Sequence, residues 1–160
     1  MDPNKIHAIT DHIIFLHHKQ NTFLSSAKVQ KLLYYMQGWH LAVHDISLFE
    51  DDFEGWVRGP TIRAIHLRFE DVYSPLLTPL DLESLYFKPN KTYRPLISQD
   101  DQRHIELAFK IYRNLSTYQL EAAIIEQQPW LLSRNDLFAG EKGDTVISKD
   151  SIQRYFRDFL

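Results

Sequence analysis

The sequence contains no cysteine, which removes a disulfide framework, thiolate metal sites, a cysteine nucleophile and thiol redox chemistry together. Long hydrophobic runs are missing as well. The apolar stretch Ile13-Ile14-Phe15-Leu16 is flanked by His12, His17 and His18, too short and too polar for a signal peptide or a membrane span. The expected location is the cytoplasm, with no membrane partner. Positive charge is scattered: 18 Lys and Arg stand against 21 Asp and Glu, for a net charge of −3. No basic cluster could neutralise a row of phosphates, so nucleic acid is not expected as a direct partner. A phosphate-binding glycine loop, H-E-x-x-H, G-x-S-x-G and a dinucleotide fingerprint are all absent.

Aromatics are plentiful, at 13% of 160 residues, and such side chains dominate both cores and interaction surfaces. The length is that of one domain able to bury about 70% of its unfolded surface. Its centre is the stretch 27–44, AKVQKLLYYMQGWHLAVH. Ser25 and Ser26 can cap it and no proline interrupts it, so the spacing predicts a helix of about five turns. Val29, Leu32, Leu33, Met36, Trp39 and Val43 fall on one face, widened by Tyr35 and Ala42. The opposite strip, with Gln30, Lys31, Tyr34, Gln37, Gly38, Leu41 and His44, is only half polar, so several neighbours should cover this helix.

Around it the chain reads as a mainly α, compact single-domain helical bundle with a minor short β element. Asp2-Pro3 opens a first helix with Ile6, Ile9, Ile13 and Leu16 inward and its histidines His7, His12, His17 and His18 at the surface. A brief strand is expected at 53–57 after an acidic loop with Glu50, Asp51, Asp52 and Glu54. Gly59-Pro60 should start the next helix, with proline at its first position and Ile62, Ile65, Phe69 and Val72 inward. The proline-rich segment 74–95 should be irregular, with at most a strand at 85–88 and a turn at Pro89-Asn90. Ser98 caps a fourth helix (Ile105, Phe109, Tyr112 and Leu115 inward, Leu107 and Ile111 flanking), and Ser116 or Thr117 caps a fifth leading to Pro129-Trp130. A strand at 145–147 and a last helix capped by Ser148, with Ile152, Tyr155, Phe156 and Phe159, complete the chain.

Three blocks in a fixed order carry a family resemblance: VQKLLYYMQGWHL at 29–41, SLF at 47–49 and EGWVRGP at 54–60. Together they resemble the signature of the Panacea domain family, the SocA-like antitoxins of bacterial toxin–antitoxin operons and prophages. Pro129-Trp130 and the helix around 152–156 fit the same pattern. The resemblance implies one Panacea-like antitoxin domain over 1–160, no enzymatic activity and no cofactor. Its partner would be a cognate toxin, neutralised by blocking, by holding it unfolded, or by delivery to a protease. Leu32, Leu33, Tyr35, Gly38, Trp39, Gly59, Pro60 and Pro129 match family motif positions and serve fold or function. One departure is Ile124-Ile125, where members often carry Thr-His.

Candidate partner contacts are Gln30, Lys31, Tyr34, Gln37 and Leu41 on the central helix, the acidic loop, and Trp56 and Trp130. Tyr and Trp anchor interfaces because they bury rigid area at little entropic cost. The competing role for Gln30 and Lys31 is to tie down the 74–95 segment. If the strip is a surface, replacing Gln30 and Tyr34 by Ala should leave the fold intact. An alternative is a metal-dependent hydrolase built on His40 and His44, four residues apart on one helix, with Asp45 or His66 as further ligands. A regulatory interaction module outside toxin–antitoxin systems is the other.

Overall fold

This computed structural model describes residues 1–72, 76–78, 81 and 96–160, which form seven helices and a three-stranded antiparallel sheet. The helices are α1 (Lys5–Lys19), α2 (Ser26–His44), α3 (Arg63–Phe69), α4 (Gln99–Tyr112), α5 (Thr117–Ile124), α6 (Gln128–Ser133) and α7 (Lys149–Arg157). The strands are β1 (Phe53–Trp56), β2 (Gly59–Thr61) and β3 (Val146–Ile147), ordered β2-β1-β3. The expected strand at 85–88 and turn at Pro89-Asn90 lie outside the described residues.

The helix starts are set by serine. Ser25, Ser98, Ser116 and Ser148 accept the backbone N–H of Lys28, Asp101, Gln119 and Ser151 at 3.1 Å each, satisfying donors that the first turn leaves over. At Ser116 the Gln119 side chain returns the bond, completing a capping box. Asp45 closes α2 in the left-handed conformation (φ 63°), its N–H on the Leu41 carbonyl.

As anticipated, α2 is the element on which the chain packs. It touches α1, α3, α4, α5, α7 and β2, and 14 of its 19 residues are buried. The closest approach is to α7 at Gly38, where an added Cβ would lie 2.3–2.6 Å from the Phe156 ring. Only a residue without a side chain lets Phe156 pack edge-on to Tyr34, Tyr35 and Trp39, at centroid distances of 5.7, 5.9 and 5.0 Å.

Several expectations are corrected. The strip with Tyr34, Gln37 and Leu41 is not a solvent face: Gln30, Lys31, Tyr34, Gln37 and Leu41 are all buried, while Val43, placed inward by the periodicity, is exposed. His12 and His17 are buried too; His17 accepts or donates at Thr22 Oγ1 (2.7 Å) and sits edge-on to Phe109. Pro60 does not begin a helix. It lies in β2 opposite Gly55, at a sheet edge where a missing N–H is tolerated, and α3 begins three residues later. Beyond α4, Leu115, placed inward by the spacing, is exposed, as are the flanking Leu107 and Ile111.

Candidate functional site

The β1–β2 hairpin stands over the N-terminal half of α2 and, with α3 and α5, encloses a cleft of about 810 Å³. That is the size of a pocket able to hold a few side chains or a small ligand. The two longest blocks of the sequence signature, with residues flanking them, contribute much of its lining. From α2 come Ala27, Gln30 and Lys31; from the hairpin come Trp56, Val57, Arg58 and Thr61. Ile65, His66 and Phe69 of α3 add an apolar and aromatic side, and Thr117 and Glu121 of α5 close the far end.

Local pairing explains why the hairpin is held there. Trp56 faces Gly59 across the Val57-Arg58 turn, and Gly59 takes φ +123°, a conformation L side chains rarely adopt. The Gln30 side chain then clamps the strand as it leaves the sheet: Nε2 donates to the Ile62 carbonyl (3.0 Å) and Oε1 accepts from the Ile62 N–H (2.8 Å). Gln37 repeats the arrangement two turns on, donating to the Phe49 carbonyl and accepting from the Leu48 N–H, both at 2.8 Å. The Gln37 amide thus serves both groups of its loop, while the Gln30 amide gives the Ile62 N–H its partner and joins the N–H groups of Ile65 and His66 on the Ile62 carbonyl. The role of Gln30 is thus to hold this hairpin from within.

Trp56 is braced on three sides. Its indole N–H donates to Glu54 (2.9 Å), His66 meets the ring edge-on at 4.7 Å, and the Arg63 guanidinium lies 5.4 Å from the ring centroid. Arg63 also donates to both Glu54 oxygens, at 3.1 and 2.7 Å. Burial works against the Glu54 charge, but the bonds from Arg63 and Trp56 outweigh it and hold the carboxyl below its usual value. Trp130 reaches the hairpin from below, donating to the Trp56 carbonyl at 2.8 Å. At the other wall Arg58 pairs with Glu121 (3.0 Å), and Lys31 donates from the floor to the Arg58 carbonyl (3.2 Å).

The residues proposed from the sequence therefore separate. Gln30, Lys31 and Trp56 line one cleft, with Trp130 behind it. Tyr34, Gln37 and Leu41 lie in the core; Tyr34 donates to Gln127 Oε1 (2.9 Å) and is fully buried. Part of the acidic loop is answered within the chain: Lys149 pairs with Asp52 (2.5 Å) and also donates to the Glu50 backbone carbonyl (2.8 Å), and Arg63 pairs with Glu54. Ile124, in place of the family's frequent threonine, is a fully buried core residue. Glu121, Lys142 and Asp144 line the cleft without having been singled out, because nothing local in their sequence marks a contact made from so far along the chain.

His40 and His44 are neighbours, with ring centroids 4.6 Å apart, and His104 of α4 joins them at 4.9 Å from His40. The ring nitrogens of His40 are both engaged, Nδ1 with the Ile46 carbonyl (2.8 Å) and Nε2 with Asp101 (3.2 Å). His104 Nε2 meets the Met36 carbonyl at 2.8 Å. A metal at His40 would have to break one of these contacts. Among the described residues no group of three or more His, Cys, Asp or Glu is arranged to hold a metal ion. No helix among them is long and apolar enough to cross a membrane.

No curated protein and no solved structure matches the chain. The family described as antitoxin SocA-like, Panacea domain, matches residues 29–131, a span that contains most of α2, the hairpin, most of the residues lining the cleft and Pro129-Trp130. The chain belongs to the SocA-like antitoxin, Panacea domain family.

Proposed function

We propose that this chain is the antitoxin of a bacterial toxin–antitoxin pair and neutralises its toxin by direct protein contact at the cleft between α2 and the hairpin. One observation carries the choice of surface: the α2 motif and the W-x-x-G-P turn, separate in sequence, meet through Lys31 and Arg58 and together line one cleft. The cleft combines what partner-binding surfaces use, a braced tryptophan, guanidinium groups at the rim and the apolar side chains of Ile65 and Phe69. The chain acts by binding rather than by catalysis, in the cytoplasm, and a protease is a further partner if neutralisation proceeds by delivery. The hydrolase reading is less favoured because the His40 nitrogens are committed to Ile46 and Asp101.

Co-expression with the product of the adjacent reading frame tests this. The expected result is a neighbour that arrests growth alone, is rescued by this chain and elutes with it. A harmless neighbour, or growth arrest that this chain does not relieve, would refute the antitoxin reading. About one zinc per chain, lost on changing His40, would favour the hydrolase instead.

A further inference from the structure

Lys31 is the part of the cleft that the fold leaves incompletely answered. The residue is only 5% exposed, yet it lines the cavity. An ammonium carries three N–H donors, and this one makes a single hydrogen bond among the described residues, to the Arg58 carbonyl at 3.2 Å. It forms no ion pair there. Glu121, the acid whose field reaches it, is committed to Arg58 through Nε (3.0 Å) and Nη2 (3.4 Å). Two other buried cations have acidic partners, Lys5 with Asp101 at 2.7 Å and Arg68 with Asp11, whereas Lys28, outside this cleft, has like Lys31 a single backbone carbonyl among the described residues, that of Arg113 at 2.6 Å. Burial accordingly pushes the Lys31 amine below its usual value, with the Glu121 charge opposing and the Arg58 charge adding. A buried cation with unused donors beside open space is a site of high affinity for a negative group.

The surroundings narrow the chemistry of that group. Ile65, Phe69 and the Trp56 ring offer apolar area beside the ammonium. The rim mixes Arg58, Arg63 and Lys142 with Glu70, Glu121 and Asp144. A multiply charged phosphate would be repelled by those carboxylates, whereas one carboxylate matches one ammonium. We propose that the cleft receives an acidic side chain of a short partner segment, its carboxylate on Lys31 Nζ and an adjacent apolar residue against Trp56, Ile65 and Phe69. This rests on the cleft being the partner-docking site, and it names what the partner presents there.

The test uses the purified full chain and two N-acetylated, C-amidated peptides, Gly-Ser-Leu-Glu-Phe-Ser-Gly and the same peptide with Gln for Glu, titrated by calorimetry. The expected result is saturable binding of the Glu peptide below roughly 1 mM, at least about tenfold weaker binding of the Gln peptide, and loss of that preference in Lys31→Met. Lys31→Arg should keep it. Equal binding of both peptides, no binding by either in that range, or an intact preference in a folded Lys31→Met would overturn the proposal. So would pyrophosphate binding in preference to the Glu peptide. If Lys31→Met fails to fold, the Glu-to-Gln comparison on the wild-type chain decides by itself. The toxin is not needed for this titration, so its result is independent of growth rescue: rescue with no Glu preference sinks the carboxylate subsite alone, and a Glu preference with no rescue sinks the antitoxin reading alone.

Discussion

Replacing Gln30 by Ala should destabilise the protein markedly, although glutamine is a residue that the sequence pattern places at a surface. The substitution removes both hydrogen bonds to Ile62, which is 1% exposed; its carbonyl keeps the N–H groups of Ile65 and His66, but its N–H is left with no other partner among the described residues. A buried backbone donor left unsatisfied costs about 1 to 3 kcal/mol. In a domain of this size that corresponds to a fall in Tm of roughly 3–10 °C. Gln30→Glu separates the two bonds: a carboxylate still accepts from Ile62 N–H but faces the Ile62 carbonyl without a donor. It should be destabilised at neutral pH and recover in part once the carboxyl is protonated. Thermal melts followed by helical circular dichroism measure both variants. A Tm within about 2 °C of wild type for Gln30→Ala would refute the clamp, because a free surface glutamine costs almost nothing to truncate. The same reasoning reverses the expectation that Ala at Gln30 and Tyr34 together leaves the fold intact.

Gly38→Ala should destabilise as well, despite the better helix propensity of alanine by about 1 kcal/mol, because its Cβ would lie 2.3 Å from Phe156. Overpacking of this kind costs typically about 1 to 3 kcal/mol, and a companion Phe156→Leu that relieves the clash should recover part of it in urea unfolding; strict additivity of the two would count against the contact. Histidine 17 should make stability fall with acid. Burial, aided by the Lys28 and Arg113 charges, lowers its pKa to about 4 from the ordinary 6.5. The unfolded chain therefore takes up a proton below about pH 6.5 that the folded chain refuses until about pH 4, a loss approaching about 3 kcal/mol across that window. Urea midpoints for wild type and His17→Leu at pH 7, 5.5 and 4 check this: the wild type should lose more, and parallel curves would refute it.

The sequence made the helices legible through their ends and their apolar spacing. Ser25, Ser98, Ser116 and Ser148 each mark a start that the structure keeps, and the run of large side chains in α2 announced a helix with neighbours on every side. What it could not show was where polar side chains find partners. Gln30, Gln37 and Tyr34 look like a solvent strip because their partners, Ile62, Phe49 and Gln127, lie 32, 12 and 93 residues away. His17 was recoverable, since it follows Ile13 by one turn and so shares the buried face. Pro60 was ambiguous by nature: an edge strand and the first turn of a helix both accept a fixed φ and a missing N–H, and the pairing with Gly55 decides for the strand. The cleft was half visible. Lys31 and Trp56 belong to the signature, but Glu121 and Asp144 meet them only through the tertiary fold.

The central claim is that the partner docks at the cleft between α2 and the hairpin, and hydrogen exchange on the co-purified complex tests it most directly. The account predicts slowed exchange, relative to the free chain, at the start of α2, in the hairpin at 53–61, and in α3 and α5. Protection confined to the exposed α4 face around Leu107 and Ile111, with the cleft unchanged, would contradict it.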